Sequence, residues 1–239
     1  MLMDMSAGAM SRRMSAVARE LQDQHDPAGT MKNAVELLIQ NIEGCEAAGI
    51  AVVHGKHTVE TATASDNMVV VGDRLQFELG EGPCLDAVWE EETVYVPDLL
   101  TDPRWSTWGP RVTQETGARS VLSFRLFTVQ ETLGALNLYS TRTDGFSADD
   151  RSEGLALAAH IAIALAAAQR IDQLGAALDS RTVIAQACGI VMERYEIDAV
   201  RAFALLTRLS STQNVKLRDI ASEVVRTRVL PAQPSDGNA

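Results

Sequence analysis

The sequence contains few side chains whose type and spacing could perform chemistry. Cys84 is the clearest, because it follows a Gly-Glu-Gly-Pro turn at the predicted start of a short helix, where the helix dipole lowers the pKa of a thiol. A redox or nucleophilic role is one interpretation, and a small buried side chain that packs the helix onto a sheet is the other. The histidines and cysteines lack zinc-ligand spacing, and no phosphate-binding or nucleophile-elbow motif occurs. We therefore predict no catalytic site and no metal site, and the sequence identifies no cofactor.

The tryptophans form a second group with chemical potential. Trp89, Trp105 and Trp108 are the only three in the chain and lie around one predicted loop. Ligand pockets are predominantly apolar and rich in aromatic side chains. We predict a small-molecule pocket beside Trp105 and Trp108. The alternative is that Trp105 covers the edge of the core while Trp89 packs inside a helix.

Basic side chains on the C-terminal helices form the third group. The last predicted helix, near 216–228, has apolar residues at helical spacing and charged residues on the opposite face. Lys216 lies on that charged face and Arg218 beside it, while Arg208 shares an outer face of the preceding helix with Arg201. Guanidinium groups suit phosphate and base-edge contacts. The alternative is an ordinary solvated helix face.

Charge distribution restricts where a nucleic acid could bind. The formal net charge is −11, with 46% hydrophobic and 22% charged residues, a composition typical of globular rather than disordered proteins. The acidic excess lies in the first 169 residues, whereas 170–228 has a slight basic excess. Because the acidic part repels phosphates, nucleic-acid contacts belong to the C-terminal part.

The elements that position these residues predict an α+β domain. We expect helices over 11–24 and 30–43, with Thr30 as the N-cap of the second. Strands 49–54 and 58–63 form one predicted hairpin, and strands 119–128 and 133–140 form another. A strand at 93–96 completes a predicted antiparallel sheet. Helices over 66–79 and 83–91, and a third helix that ends at about 116, flank this sheet.

From Ser147 to about 195 the periodicity predicts one long helix, with Ser147 and Asp150 at its cap. Its longest apolar stretch, 155–168, is too short to cross a bilayer, so we predict no membrane association. Apolar residues continue at alternating spacings of three and four: Ala164, Ala167, Ile171, Leu174 and Leu178. That pattern is typical of a coiled-coil seam and predicts a parallel homodimer. The alternative is that this stripe packs on its own sheet.

The C-terminal segment resembles a known family. The segments 180–194 (SRTVIAQACGIVMER), 202–206 (AFALL) and 214–221 (NVKLRDIA) resemble the ANTAR domain in order, spacing and placement. The resemblance implies an all-α three-helix module that binds RNA as a dimer, recognises paired hairpin loops in nascent leader transcripts and prevents transcription termination. The RNA-contacting residues expected on this basis are Arg181, Arg194, Arg208, Asn214, Lys216 and Arg218.

The preceding segment resembles a GAF domain, a small α+β sensor fold. The turn at 80–84 (GEGPC), the loop at 102–105 (DPRW) and the strand at 133–139 (LGALNLY) carry this resemblance. It implies either a small-molecule ligand or none. The segment at 143–146 (TDGF) departs from the signature of the cyclic-nucleotide subfamily, so a cyclic nucleotide is not expected.

These observations predict a cytoplasmic, non-enzymatic regulator with a GAF sensor input. The predicted domains are an N-terminal extension and helix (1–29), a GAF-like sensor (30–168), an ANTAR domain with a coiled-coil entry helix (169–230) and a disordered tail (231–239). Its expected partners are RNA hairpins in leader transcripts, a GAF ligand and a second copy of the chain. A DNA-binding regulator resembling a helix-turn-helix protein and a redox sensor acting through Cys84 are the alternatives.

Overall fold

The computed structural model describes residues 15–21, 26–55 and 58–231. The chain divides into two compact units, one ending at Ile171 and the other beginning at Asp172. Apart from residue 231, the tail predicted to be disordered (231–239) lies outside the described ranges. Half of the predicted helix 11–24 also lies outside the described residues, and its described half, 15–21, is helical (α1).

A five-stranded antiparallel sheet with the order β2-β1-β5-β4-β3 forms the centre of the N-terminal unit. Both predicted hairpins are present, and β1 joins them by pairing with β5, with Ile50 opposite Leu136. Gly134 allows this pairing, because a Cβ there would lie 1.9 Å from the Ala51 carbonyl oxygen. The strands are β1 (Ala47–His54), β2 (Thr58–Ala64), β3 (Thr93–Val96), β4 (Ser120–Phe127) and β5 (Thr132–Ser140).

Helices cover both faces of this sheet and give the unit two apolar cores. On one face Leu122, Phe124 and Leu138 pack with α1, α2 and the beginning of α6. On the other face Val121 and Ala135 pack with α3, α4 and α5. The helices of the unit are α2 (Pro27–Asn41), α3 (Asn67–Leu79), α4 (Pro83–Trp89), α5 (Trp108–Thr116) and the start of α6 (Ala148–Tyr195).

The predicted start of α2 is wrong. The helix begins at Pro27 with Asp26 as its N-cap, and the Asp26 carboxylate accepts a hydrogen bond from the Gly29 N–H at 2.8 Å. Thr30 lies inside the first turn, where its hydroxyl donates back to the Asp26 carbonyl at 2.9 Å. Proline at the first helical position needs no N–H partner and has a φ angle suited to a helix, so Asp26-Pro27 starts the helix.

The long helix α6 begins as predicted. The Asp150 N–H donates to the Ser147 hydroxyl at 3.1 Å, and the Asp150 carboxylate accepts from the Ser147 N–H at 2.8 Å. The prediction that the apolar part of α6 is too short to cross a bilayer is wrong, since among the described residues this helix is long and apolar enough to span one by length and composition. Core helices of soluble proteins pass the same test, so this feature alone does not indicate a membrane protein.

The C-terminal unit is a three-helix arrangement of the last part of α6 with α7 (Ala199–Gln213) and α8 (Leu217–Thr227). The predicted inward stripes are confirmed, since Leu206 of α7 and Ile220 and Val224 of α8 are buried against Val191 of α6. Each stripe has the spacing of three and four residues that places side chains on one helix face. The opposite faces of α7 and α8 are exposed.

Candidate functional site

The turn between α7 and α8 positions three of the six predicted nucleic-acid contacts. Asn214 ends α7 in the left-handed conformation (φ 53°), and its N–H donates to the Ser210 carbonyl. Asparagine tolerates this conformation better than most residues, so Asn214 also has a structural role as a C-cap. Lys216 follows as the N-cap of α8, and Arg218 lies in its first turn. The turn therefore presents one amide and two cations in five residues.

All six predicted residues are exposed: Arg181, Arg194, Arg208, Asn214, Lys216 and Arg218. Within the described ranges, no ion pair engages the side chains of Arg208, Lys216 or Arg218. By contrast, Arg226 of α8 donates to Glu223 at 2.6 Å. The cations near the α7–α8 turn are thus available to an anionic partner, whereas that of Arg226 is already neutralised.

The six residues do not form one cluster. Lys216 and Arg228 flank opposite ends of α8, which at 1.5 Å per residue is about 16 Å long. Arg194 belongs to the second end, because its guanidinium donates to the Arg228 carbonyl at the C-cap of α8. Arg181 lies further back on α6.

Sequence analysis missed a groove at that second end. It has a volume of about 750 Å³ and lies entirely within the C-terminal unit. The signal was present in the sequence, because five of its residues follow the i, i+3, i+4, i+7, i+8 spacing of one helix face. The lining residues are Gln186, Gly189, Ile190, Glu193, Arg194, Val225 and Arg228.

The predicted pocket residues in the N-terminal unit belong to its core. Trp105 is 4% exposed and Trp108 is fully buried, and their rings meet edge to face with centroids 6.4 Å apart. The Trp108 indole N–H donates to the Gly72 carbonyl at 3.0 Å. Trp89, expected inside a helix, is instead 46% exposed at the end of α4. A ligand pocket at Trp105 and Trp108 stays a prediction.

Two of the three motifs that resemble a GAF domain, the turn at 80–84 and the loop at 102–105, have structural explanations. In the turn at 80–84, the Glu81 carboxylate accepts a hydrogen bond from the backbone N–H of Trp108 at 2.8 Å and so caps α5. Gly82 has φ +142°, a conformation that favours glycine, and a Cβ added there would lie 2.3 Å from the Gln76 side-chain oxygen. In the loop at 102–105, the Asp102 carboxylate accepts from the Arg104 N–H at 3.0 Å. Both motifs hold the loop that carries Trp105 and Trp108.

A buried polar network lies beneath α3. The Asp73 carboxylate accepts from the Thr61 hydroxyl at 2.8 Å and from the Asn137 amide at 3.1 Å. The Asn137 carbonyl oxygen in turn accepts from the Ser123 hydroxyl at 2.8 Å. Burial raises the pKa of Asp73 to about 6, while the bonds from Thr61 and Asn137 lower it. No basic side chain is among its hydrogen-bond donors, so the ionised carboxylate is held by neutral groups alone.

The predicted lowering of the Cys84 pKa is wrong. Cys84 is fully buried, and its pKa is raised well above the usual value, first by burial and then by the charge of Asp73. Desolvation of the thiolate exceeds the dipole of a seven-residue helix. The structure therefore favours the packing interpretation of Cys84. In the described part of the chain, no group of three or more histidine, cysteine or carboxylate side chains is arranged to hold a metal.

Four of the five predicted coiled-coil positions on α6 are exposed, whereas Ala164 is partly buried against the first apolar core. Ile171, Leu174 and Leu178 are 57%, 59% and 64% exposed. Most large apolar side chains of the first unit are buried, as expected for a core. Three large apolar side chains at successive seam positions form a surface that water solvates poorly.

Comparison with solved structures supports the fold of the N-terminal unit. The GAF domain of a phosphoenolpyruvate-protein phosphotransferase from Coxiella burnetii aligns with a TM-score of 0.51 and 17% identity, covering 67% of this chain and 95% of that one. A free methionine-R-sulfoxide reductase from Neisseria meningitidis, solved with its substrate, aligns with a TM-score of 0.49 and 17% identity, covering 69% and 93%. A GAF sensor protein from Burkholderia vietnamiensis gives 0.48 and 15%, covering 69% and 93%.

Family models match both units. Residues 24–166 match the GAF domain, and residues 172–225 match the ANTAR domain. No curated protein matches the chain. The GAF match spans more than half of the sequence and includes the five-stranded sheet, while the ANTAR match covers the three packed helices. The chain therefore belongs to the GAF family and carries a C-terminal ANTAR domain.

Proposed function

We propose that this protein is an RNA-binding regulator that recognises hairpin loops in leader transcripts and prevents transcription termination. The observation that carries the proposal is the α7–α8 turn of the ANTAR domain, which exposes Lys216 and Arg218 without ion-pair partners in the described ranges. Phosphate neutralisation by such cations provides most of the affinity for nucleic acid. The strongly acidic composition of the first 169 residues confines this contact to the ANTAR domain.

Loop recognition, rather than duplex recognition, suits the chemistry of this turn. Unpaired loop bases expose edges that side-chain amides can read, whereas the major groove of an RNA duplex is too narrow for such contacts. Asn214 presents an amide beside Lys216, so one side chain contacts a base edge while the other contacts phosphate. Arg208, Arg194 and Arg181 are the further proposed RNA contacts, at positions away from this turn.

Affinity for a hairpin RNA in the presence of duplex DNA tests this proposal. We expect binding of a two-hairpin RNA to persist under excess duplex DNA of the same stem sequence. Displacement by the DNA would favour the helix-turn-helix alternative, in which α8 enters a major groove. Because association with phosphates depends on salt, both competitors are compared at one fixed salt concentration.

We also propose a homodimer through the seam on α6. Burying the exposed Ile171, Leu174 and Leu178 against a second copy removes apolar surface from water, which is the main driving force of such association. A dimer carries two RNA-binding heads, which suits a target with two hairpin loops. The double variant Ile171→Lys/Leu174→Lys should be monomeric by analytical ultracentrifugation. A monomeric wild type at tens of micromolar, or a dimeric variant, would contradict the seam.

The GAF domain is proposed as a sensor without catalysis, in a cytoplasmic protein. On the sheet face that carries α3, α4 and α5, Cys84 is fully buried, and Trp105 and Trp108 belong to the same core. Some structural neighbours are reductases, but likeness at 17% identity concerns the fold alone. A small-molecule ligand would stabilise the folded form in proportion to its concentration. Thermal shift of the full chain across nucleotides and metabolites tests this, and no shift would favour a purely structural GAF domain.

A further inference from the structure

The groove between the end of α6 and the end of α8 has the size and lining of a binding site. Its volume of about 750 Å³ lies within the range of small-molecule sites. Ile190 and Val225 are half-buried and provide an apolar surface, while Gln186, Glu193 and Arg228 are exposed around it. An apolar surface with a few polar groups at its edge suits a flat, polar-edged ligand better than an extended apolar one.

Gly189 opens this groove. It lies in the interior of α6, where glycine is less favourable than other residues, and a Cβ added there would meet nothing within 4 Å. No close packing therefore requires the glycine. Its effect is to remove a side chain between Gln186 and Glu193, which lie three residues before and four residues after it on the same helix face.

Two guanidinium groups define the groove's electrostatics. Arg194 is held at the wall by its bond to the Arg228 carbonyl, and that carbonyl belongs to the C-cap of α8. Within the described part of the chain, neither Arg194 nor Arg228 forms an ion pair. Glu193 adds one carboxylate, which accepts hydrogen bonds only and repels phosphate. The expected ligand therefore carries both a negative charge, which the two guanidinium groups attract, and an N–H group, which donates to Glu193.

From this lining we propose that the groove binds one unpaired base of the RNA loop. This inference rests on the proposed RNA-binding function and assigns it a second contact, at the end of α8 opposite the α7–α8 turn. The base stacks on Ile190 and Val225. Its amino or imino edge donates to the Glu193 carboxylate or to the side-chain carbonyl of Gln186. Arg194 and Arg228 contact the adjoining phosphates. Nucleotides combine an anionic backbone with base edges that donate, which matches both features of the groove.

The glycine permits a test that does not depend on destabilising the protein. Gly189→Gln fills the groove without changing charge, and replacement of a helical glycine should leave thermal stability equal or higher. Gly175→Gln is the matched control, because Gly175 also lies in α6 with nothing within 4 Å of an added Cβ. The probe is a two-hairpin RNA enriched on the wild-type protein from a pool with randomised loops. Sedimentation of both variants checks the oligomeric state.

We expect Gly189→Gln to weaken binding by about ten-fold, the effect of losing one stacked base, and Gly175→Gln to leave it unchanged. Abasic substitution at each loop position then locates the base. At one position, the abasic RNA and Gly189→Gln should together weaken binding no more than either alone. Unchanged affinity of Gly189→Gln, or additive losses at every position, would overturn the inference while wild-type binding upholds the RNA-binding function. A wild type without hairpin affinity would overturn both.

Discussion

In the GAF domain, the buried side chains of Asp73 in α3 and Asn137 in β5 hydrogen-bond to each other, whereas the ANTAR domain exposes Arg208, Lys216 and Arg218. In the first arrangement the polar groups form hydrogen bonds with each other inside the fold, so few polar groups are left to bind a partner. In the second arrangement the charged side chains have no ion-pair partner among the described residues. They are solvated by water, which offsets most of the free energy cost of leaving them unpaired. This contrast supports the proposal that an anionic partner contacts the ANTAR domain, since the polar groups of the GAF core already satisfy each other.

The largest expected effect tests the closed core of the GAF domain. Trp108→Ala removes a fully buried indole and its hydrogen bond to Gly72, so we expect the free energy of unfolding to fall by about 3–5 kcal/mol. Trp89→Ala, at a position that is 46% exposed, should cost about 1 kcal/mol or less. Urea unfolding followed by circular dichroism measures both. Equal losses would show that Trp108 lines an open cavity rather than a packed core.

The next effect concerns the buried carboxylate. Because the folded-state pKa of Asp73 is raised to about 6, its protonated form stabilises the fold below about pH 4, and this contribution is lost as the pH rises through 6. Asp73→Asn keeps an acceptor for Asn137 and carries no charge. It should therefore be more stable than the wild type at pH 8, by about 2–3 kcal/mol, and similar at pH 4.

Asp98→Asn is the control of opposite sign for this pH profile. Desolvation raises the pKa of Asp98, but the hydrogen bonds from the Leu100 N–H and the Arg119 guanidinium lower it by a larger amount. The pKa of Asp98 is therefore lowered overall. Its ionised form stabilises the fold, and the substitution should reduce stability at neutral pH. A wild type and an Asp73→Asn variant with parallel profiles between pH 4 and 8 would show that Asp73 remains ionised in the core.

A smaller effect tests the exposed side of the comparison. Lys216→Ala and Arg218→Ala should each weaken hairpin RNA binding by about ten-fold and reduce the slope of log affinity against log salt by about one. Arg226→Ala is the matched control, because the Arg226 side chain is already paired with Glu223. Filter binding across a salt series measures the three variants. If Arg226→Ala reduced the salt slope as much as Lys216→Ala and Arg218→Ala do, all three cations would contribute equally to RNA binding.

The smallest effect concerns the thiols. Burial raises the pKa of Cys45 to about 12 and that of Cys84 well above the usual thiol value, and both side chains are enclosed. Cys188 in the ANTAR domain is only partly buried. An alkylating reagent should therefore modify Cys188 first in the native protein, and Cys84 only on unfolding, as measured by mass spectrometry of peptides. Rapid native modification of Cys84 would restore the redox alternative.

Local patterns predicted the elements of this fold well, because hairpins and amphipathic helices are encoded by short-range spacing. Strands 49–54 and 133–140 were expected from their sequences, but their pairing through Ile50 and Leu136 joins residues far apart in the chain. Likewise the position of Cys84 at a helix start was predicted correctly, whereas its pKa depends on burial beneath α3 and on Asp73. Desolvation is a tertiary property that residue spacing does not encode.

The same distinction applies to the candidate site. Exposure of Arg208, Lys216 and Arg218 followed from the apolar stripes opposite them, because a stripe that faces the core leaves the other helix face in water. The groove at Gly189 was missed, since it requires α6 and the end of α8 to be packed together. Asn214 was predicted as a base contact, and its additional role as a helix C-cap became visible only in the backbone conformation.

Sequencing of the RNA that co-purifies with the protein tests the central claim most directly. The full chain and a Lys216→Ala/Arg218→Ala variant are isolated in parallel from cells and treated with DNase. The account predicts that the wild type enriches leader transcripts containing hairpins with unpaired loops, and that the variant loses this enrichment while keeping its circular dichroism spectrum. Equal RNA profiles from both proteins, or enrichment of DNA fragments without RNA in untreated samples, would contradict it.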